Sequence, residues 1–260
     1  MKLFYRVYEA QCGADKAKQD IIILHGLFGI SDNWVGFARQ FSKHSRVIIP
    51  DLRNHGQSTH SDSFELHDLV EDLYNVIEET KSISPILLGH SLGGRIAMRF
   101  ALLYPELISK LIVVDISLRS VRLKPEHTAI IDVMKNFPLE QMQSLQQIKD
   151  YLAEHIKHDK LIKIVIKNIR KIDNGFEWKV YFKPLIELFK KESEPIATNE
   201  VFDKEALFIR GGNSDYILDS DIPKIKQHFP NSEIKTIAGA SHWVQVDKPL
   251  EFINTVLSWQ

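Results

Sequence analysis

The chain has 260 residues, and at roughly 150 residues per domain that length suits one large domain, or one domain with a substantial insertion, better than tandem small modules. Its 44% hydrophobic and 26% charged residues are an ordinary globular composition, which excludes disordered, collagenous and fibrous chains. Lys and Arg number 33 against 34 Asp and Glu, a formal net charge of −1, and the one cysteine is Cys12; the chain therefore has no global attraction for nucleic acid and no internal disulfide.

The first residues, Met1 to Arg6, turn charged at once and lack the apolar stretch of a secretory signal. No apolar run reaches the roughly 18 residues of a membrane span. The expectation is a cytoplasmic protein with no membrane span.

Four short, nearly continuous apolar runs come first: Ile21 to Leu24, Arg46 to Pro50, Pro85 to Leu88 and Lys110 to Asp115. Such runs read as strands covered on both faces. Amphipathic stretches separate them, at Asp32 to Lys43, Phe64 to Thr80 and Leu92 to Tyr104, the last closed by Pro105. This alternation predicts an α/β fold, a mostly parallel sheet with right-handed crossovers and helices on both faces.

From about Ser117 to Asn199 the pattern changes to helical periodicity rich in Lys, Glu and Ile, at Val121 to Leu123, Ile130 to Met134, Leu145 to Ile156 and Leu161 to Ile172. Strands return at Ala206 to Arg210 and Glu233 to Ile237, with a helix between them and a last helix from Pro249 to Trp259. The expected organisation is a core of residues 1–116 and 200–260 interrupted by a helical cap, 117–199, over the sheet's carboxyl edge. Leu161, Ile162, Val165, Ile166, Ile169 and Ile172 form an apolar face at helical spacing, with Lys163, Lys167, Arg170 and Lys171 elsewhere. That face packs on the main domain, with a wall of an acyl pocket and a membrane or partner contact as alternatives. Phe176, Trp178 and Tyr181 either line an entrance or pack the cap. Arg119, Arg122 and Lys124, close to Asp115 in sequence, are candidates for an anionic substrate group.

The chemistry-bearing segment is Gly89-His90-Ser91-Leu92-Gly93, a G-x-S-x-G directly after an apolar strand and directly before a helix. In that context the serine sits on a strained strand-to-helix turn as a nucleophile, and the helix N-terminus supplies oxyanion donors. The base should follow late in the chain, and His242, in the loop after the final strand, is placed for it. Two carboxylates stand at carboxyl ends of strands, Asp115 and Asp215, and either can orient the imidazole. His25-Gly26-Leu27-Phe28-Gly29 follows the first apolar strand; the N–H of Leu27 or Phe28, with that of Leu92, is expected to hold an oxyanion. His25 itself, and the turn-rich Asp51 to Ser58, read as structural groups that fix loops beneath the site.

HGLFG, DLRNHGQS, GHSLGGR, VVDIS, RGGNS and GASHW, taken together, resemble the α/β-hydrolase superfamily, and most of all its small bacterial esterase branch with the mitochondrial abhydrolase relatives. The likeness runs end to end and is weakest across the insertion. It implies an α/β-hydrolase fold with an inserted cap, hydrolysis of carboxylic esters or acyl-CoA thioesters through an acyl-enzyme, and no cofactor; it favours Asp115 as the acid. Nucleotide and zinc fingerprints are missing, and His155 with His158 lacks a third ligand, so no metal is expected. The expected partner is a small acyl ester or thioester, not nucleic acid. A ligand receptor on the same fold with slow or no turnover, a cofactor-free haloperoxidase or C–C hydrolase, and a purely structural interaction protein are the alternatives.

Overall fold

The computed structural model describes residues 1–13, 17–120, 125–156, 159–189, 195–196 and 198–259, with the side chains of 125–127, 159–161 and 187–189 excepted. The apolar runs form strands β2 (Lys18–Leu24), β3 (Ser45–Pro50), β4 (Ile86–His90) and β5 (Lys110–Val114), preceded by an edge strand β1 (Tyr5–Tyr8). Helices α1 (Val35–Phe41), α2 (Leu66–Thr80) and α3 (Leu92–Leu103) connect them. After the insertion come β8 (Ala206–Gly211), α8 (Ile222–His228), β9 (Ser232–Ile237), the single turn α9 (Val244–Asp247) and α10 (Pro249–Trp259).

The sheet has seven strands in the order β1-β3-β2-β4-β5-β8-β9. Only β1 runs antiparallel, against β3; every other pairing is parallel. Consecutive strand residues point to opposite faces, and this divides the run Ile21 to Leu24 cleanly. Ile22 and Leu24 join the core that holds Leu73, Val76, Ile96 and Phe100 of α2 and α3. Ile21 and Ile23 join the second core, with Phe41 of α1 and Phe252 and Val256 of α10. Helices thus cover both faces, which is why the central strands read as unbroken hydrophobic runs.

The insertion lies between β5 and β8, which are parallel neighbours in the sheet, so the chain leaves the carboxyl edge at the end of β5 and returns to the amino edge to begin β8. It carries α4 (Pro125–Asn136), α5 (Leu145–His155), α6 (Asp159–Lys167) and α7 (Phe182–Phe189). It is not all helical. The helix expected through Ile172 stops at Lys167, and Ile169–Ile172 forms strand β6, paired antiparallel with β7 (Gly175–Trp178). Asp173 and Asn174 make the turn, and a hairpin turn of that kind is incompatible with a continuing helix. Ile169 and Ile172 are therefore strand residues; Val165 is buried in the core, while Ile164 and Ile166 border a cavity described below. Residues 121–124 and His158 fall outside the described residues, as does the Leu161 side chain.

Specific polar contacts among the described residues join the insertion to the sheet domain. The buried Asn168 side-chain amide donates to the Phe28 carbonyl at 2.8 Å, and the Tyr181 N–H donates to the Asn54 carbonyl at 2.9 Å. The Tyr181 hydroxyl and the Lys183 ammonium both reach Asp62, and the Tyr181 ring stacks on His60. Phe176 and Trp178 face Phe137 and Phe182, so these aromatics pack within the insertion.

The second core makes a direct stability prediction. Phe252 is fully buried and meets Phe37 edge-on with ring centroids 5.5 Å apart, whereas Leu250, two residues earlier on the same helix, is 76% exposed. Phe252→Ala is expected to lower the unfolding free energy by about 3–5 kcal/mol and Leu250→Ala by less than about 0.5 kcal/mol. Urea titration of both variants measures the difference.

Candidate active site

Ser91 follows β4 immediately and is the N-cap of α3, at φ 53° and ψ −115°. An L-residue is rarely found with positive φ, and its cost, about 1–3 kcal/mol, is tolerated only where the surroundings hold the backbone. Here they do: the Ser91 N–H continues the sheet ladder to the Val114 carbonyl at 3.0 Å, and the Ser91 carbonyl accepts from Arg95 N–H. The flanking glycines are required by contact. A Cβ on Gly89 would stand 2.2 Å from the Gly93 carbonyl oxygen, and one on Gly93 would stand 2.3 Å from that of Leu24.

Three side chains from three loops meet there. The Ser91 hydroxyl donates to His242 Nε2 at 2.9 Å, and His242 Nδ1 donates to Asp115 Oδ2 at 2.8 Å. Asp115 stands just past β5, also at positive φ (52°), and is 0% exposed. Its carboxylate is fully engaged. Oδ1 accepts the Gly211 N–H at 2.9 Å, and Oδ2 accepts the Ser214 hydroxyl as well as the imidazole. Asp215, the other sequence candidate, is exposed, and its backbone carbonyl accepts from Arg119. Of the two carboxylates, it is Asp115 that the fold brings to the His242 imidazole.

The imidazole is held from two further sides. Tyr216 stacks on it at 3.8 Å between ring centroids, and His90 Nε2 donates to the His242 carbonyl at 2.9 Å. Neither contact is legible in the sequence, because no local pattern sets Tyr216 or His90 apart from neighbouring loop residues. Ser214 lies within the RGGNS segment but has no spacing that announces a bond to Asp115.

The loop His25 to Gly29 runs beside Ser91: a Cβ on Gly26 would come within 2.8 Å of the His90 ring and 3.2 Å of Ser91 Cβ. Two buried histidines brace it. His25 donates from Nδ1 to the Gly26 carbonyl and accepts the Leu52 N–H at Nε2. His55 donates from Nδ1 to the Arg53 carbonyl and accepts the Phe28 N–H at Nε2. This last bond corrects an expectation. The Phe28 N–H is directed at His55 and is not available to a ligand, whereas among the described residues no acceptor is bonded to the N–H of Leu27 or of Leu92. Asp51 completes the support by accepting the Ser31 and Gln57 N–H groups.

Ser91 and His242 border a cavity of about 530 Å³. One wall is the His25 to Gly29 loop, another is Trp243, Gln245 and Val246, and the third comes from the insertion, with Ile164 and Ile166 of α6. Of the cations expected near Asp115, Arg119 is paired with Asp221 at 3.2 Å and does not line the cavity, and Arg122 and Lys124 fall outside the described residues. Instead Lys149, Lys163 and Lys167 line the cavity. His155 is stacked on Tyr151 and bonded to its carbonyl.

A mostly parallel sheet with helices on both faces and a strained serine between strand and helix is the architecture of α/β hydrolases. Residues 21–148 match the family model described as the alpha/beta hydrolase fold. The chain is 30% identical to the mouse sn-1-specific diacylglycerol lipase ABHD11, over 92% of this chain and 80% of that protein. It is 28% identical to esterase YbfF of Escherichia coli, over 96% and 95%. The solved structure of a marine microorganism esterase superposes with a TM-score of 0.92 at 33% identity, covering 100% of this chain and 99% of the other. The chain belongs to the α/β-hydrolase family. No helix among the described residues is long and apolar enough to cross a membrane.

The two bracing histidines make the stability of the site pH-dependent. Burial lowers the pKa of His25 from 6.5 to about 4 and that of His55 to about 3. The folded protein keeps both rings neutral where the unfolded chain already binds protons, so stability is fully present above pH 6.5 and is lost as pH falls below it. The expected slope is roughly 1 kcal/mol per pH unit for each ring between pH 6.5 and about 4. Denaturant unfolding at pH 7 and pH 5 checks this, and equal stabilities would contradict it.

Proposed function

We propose that the chain cleaves carboxylic esters through an acyl-enzyme on Ser91, with His242 as general base and acid and Asp115 as the carboxylate that orients it. The single observation that carries this reading is the continuous hydrogen-bonded chain from Ser91 Oγ through His242 to the buried Asp115, opening on a cavity of about 530 Å³. As the Ser91 oxygen bonds to the acyl carbon, His242 Nε2 takes the hydroxyl proton. The imidazolium that forms is stabilised by Asp115, and it returns the proton to the leaving oxygen or sulfur as that bond breaks. Water then attacks the acyl-enzyme, giving its proton to His242 while the carboxylic acid leaves and Ser91 is restored.

In this scheme the N–H groups of Leu27 and Leu92 receive the oxyanion, with the α3 N-terminus adding a favourable dipole. Ile164, Ile166, Trp34 and Val246 offer the acyl chain an apolar wall. The insertion, residues 117–199, acts as the cap over the site. Oxygen esters and thioesters share the same acyl-carbon chemistry, so both fall within the reading. The esterase and lipase names of its relatives support it: the chain is a carboxylic ester hydrolase.

The test is turnover of p-nitrophenyl hexanoate. Ser91→Ala is expected to lose at least about 1000-fold in kcat. Asp115→Asn is expected to lose on the order of 10⁴-fold, as the imidazole loses the partner that fixes its tautomer, while Asp215→Asn stays within a few-fold of the parent. Undiminished turnover by Ser91→Ala removes the mechanism; comparable losses for both Asp variants remove Asp115 from its role.

A further inference from the structure

The loop beside Ser91 is a tight turn. The Gly26 carbonyl accepts the Gly29 N–H at 2.9 Å, which puts Leu27 and Phe28 at the two central positions. Of the two, only Phe28 has positive φ, at 59°. Positive φ at the second central position alone is the pattern of a type II turn, and that position favours glycine or asparagine because a Cβ there crowds the backbone. A phenylalanine prefers the negative φ of a type I turn, which the same segment reaches by turning over the central peptide, the one that carries the Leu27 carbonyl and the Phe28 N–H. Keeping the turn as observed therefore takes contacts from outside it.

One such contact comes from the sheet domain, where His55 Nε2 accepts the Phe28 N–H at 3.2 Å; the other comes from the insertion, where Asn168 Nδ2 donates to the Phe28 carbonyl at 2.8 Å. Asn168 is a firm anchor. It is 0% exposed, Nδ2 also donates to the Ile164 carbonyl one turn back in α6 at 2.9 Å, and its own carbonyl accepts the N–H of Lys179, just past β7, at 2.7 Å. Its Oδ1 is buried and meets no donor among the described residues. An aliphatic side chain would fill the same space without an unmatched acceptor, so packing does not account for an amide at this position. What the amide adds is the bond to the turn.

We infer that Asn168 is a positioning residue for the reaction: from the insertion it holds Phe28 in its left-handed conformation, and so keeps the adjoining Leu27 N–H directed at the acyl oxygen. This rests on the ester-hydrolase reading above, in which the N–H groups of Leu27 and Leu92 receive the oxyanion. Asn168 borders neither Ser91 nor the cavity and acts only through the turn. Without its bond the turn relaxes toward negative φ at Phe28, the central peptide turns over, and the Leu27 N–H is carried off its line. The charge that develops on the acyl oxygen then loses part of one of its two donors. The loss falls on kcat, because the oxyanion forms only after the ester is bound, and the apolar walls that hold the ester stay in place.

The experiment measures turnover of p-nitrophenyl hexanoate per active site in the full chain, with sites counted by exhaustive labelling with a fluorophosphonate so that misfolded chains drop out of the rate. Asn168→Ala is expected to lower kcat about 30-fold with KM within about threefold, a part of the roughly 10²–10³-fold cost of deleting an oxyanion donor. A pentyl trifluoromethyl ketone, whose adduct with Ser91 places an oxyanion in the same position, is expected to bind more weakly by a similar factor. Two comparisons separate this effect from a loosened insertion. Asp62→Ala, which cuts the attachment through Tyr181 and Lys183, is expected to keep kcat within about twofold of the parent. In a Phe28→Gly background, where the left-handed conformation carries no Cβ cost, adding Asn168→Ala is expected to cost less than about threefold. A kcat for Asn168→Ala within about threefold of the parent, an unmoved affinity for the ketone, a loss in Asp62→Ala as large as that in Asn168→Ala, or equal losses in the two Phe28 backgrounds overturns the proposal. Ser91→Ala keeps the two claims apart: retained turnover there removes the hydrolase reading, whereas lost turnover there with an unmoved kcat in Asn168→Ala removes only the role of Asn168.

Discussion

A carboxylate with no solvent exposure, Asp115, is the constraint around which the site is organised. A buried charge is costly unless every acceptor position is matched by a donor. The fold supplies the donors from two later segments: Gly211 and Ser214 after β8, and His242 after β9. Parallel strands explain how this is possible, because consecutive units of such a sheet deliver their carboxyl-end loops to one edge. Ser91 after β4 and Asp115 after β5 stand on adjacent strands, both at positive φ. The sheet holds both residues in that conformation through ladder bonds, Ser91 N–H to Val114 and Asp115 N–H to Ile209. Strain concentrated at these two positions and carried by a rigid sheet is the pattern expected of a preorganised site.

The insertion is joined to the same machinery. Asn168 reaches from just after α6 to the Phe28 carbonyl, and the Phe28 N–H is bonded to His55, so both backbone polar groups of that residue are fixed from outside the loop. Phe28 itself has φ 59°, another left-handed residue held by its neighbours. The helix α6, which lines the cavity, and the loop beside Ser91 are thereby mechanically linked. A displacement of α6 would be felt at Leu27 and Phe28 through one side chain, and it would also move the lysines that border the opening.

Much of this was legible in the sequence, and the exceptions have physical causes. Central strands were visible because burial on both faces leaves an unbroken apolar run, as in Ile21 to Leu24; β1 was not, since an edge strand with half-exposed residues has no such run. The hairpin β6–β7 was hidden because Ile169 and Ile172 sit three apart, which also fits a helix, although Asp173-Asn174-Gly175 carried the turn signal against it. Ser91 and His242 were readable from local context. The choice between Asp115 and Asp215 was not, because both end strands and only the three-dimensional arrangement brings one to the imidazole. The same holds for Phe28, whose N–H is bonded to a histidine 27 positions away, and for Lys163 and Lys167, which helical periodicity alone set on the face away from the apolar one.

The most direct measurement is intact-protein mass spectrometry of acid-quenched turnover on p-nitrophenyl hexanoate, followed by peptide mapping. The account predicts a transient hexanoyl adduct on the peptide that contains Ser91, formed with the burst of p-nitrophenol and absent from Ser91→Ala. An adduct on any other residue, or steady turnover by Ser91→Ala, would contradict it.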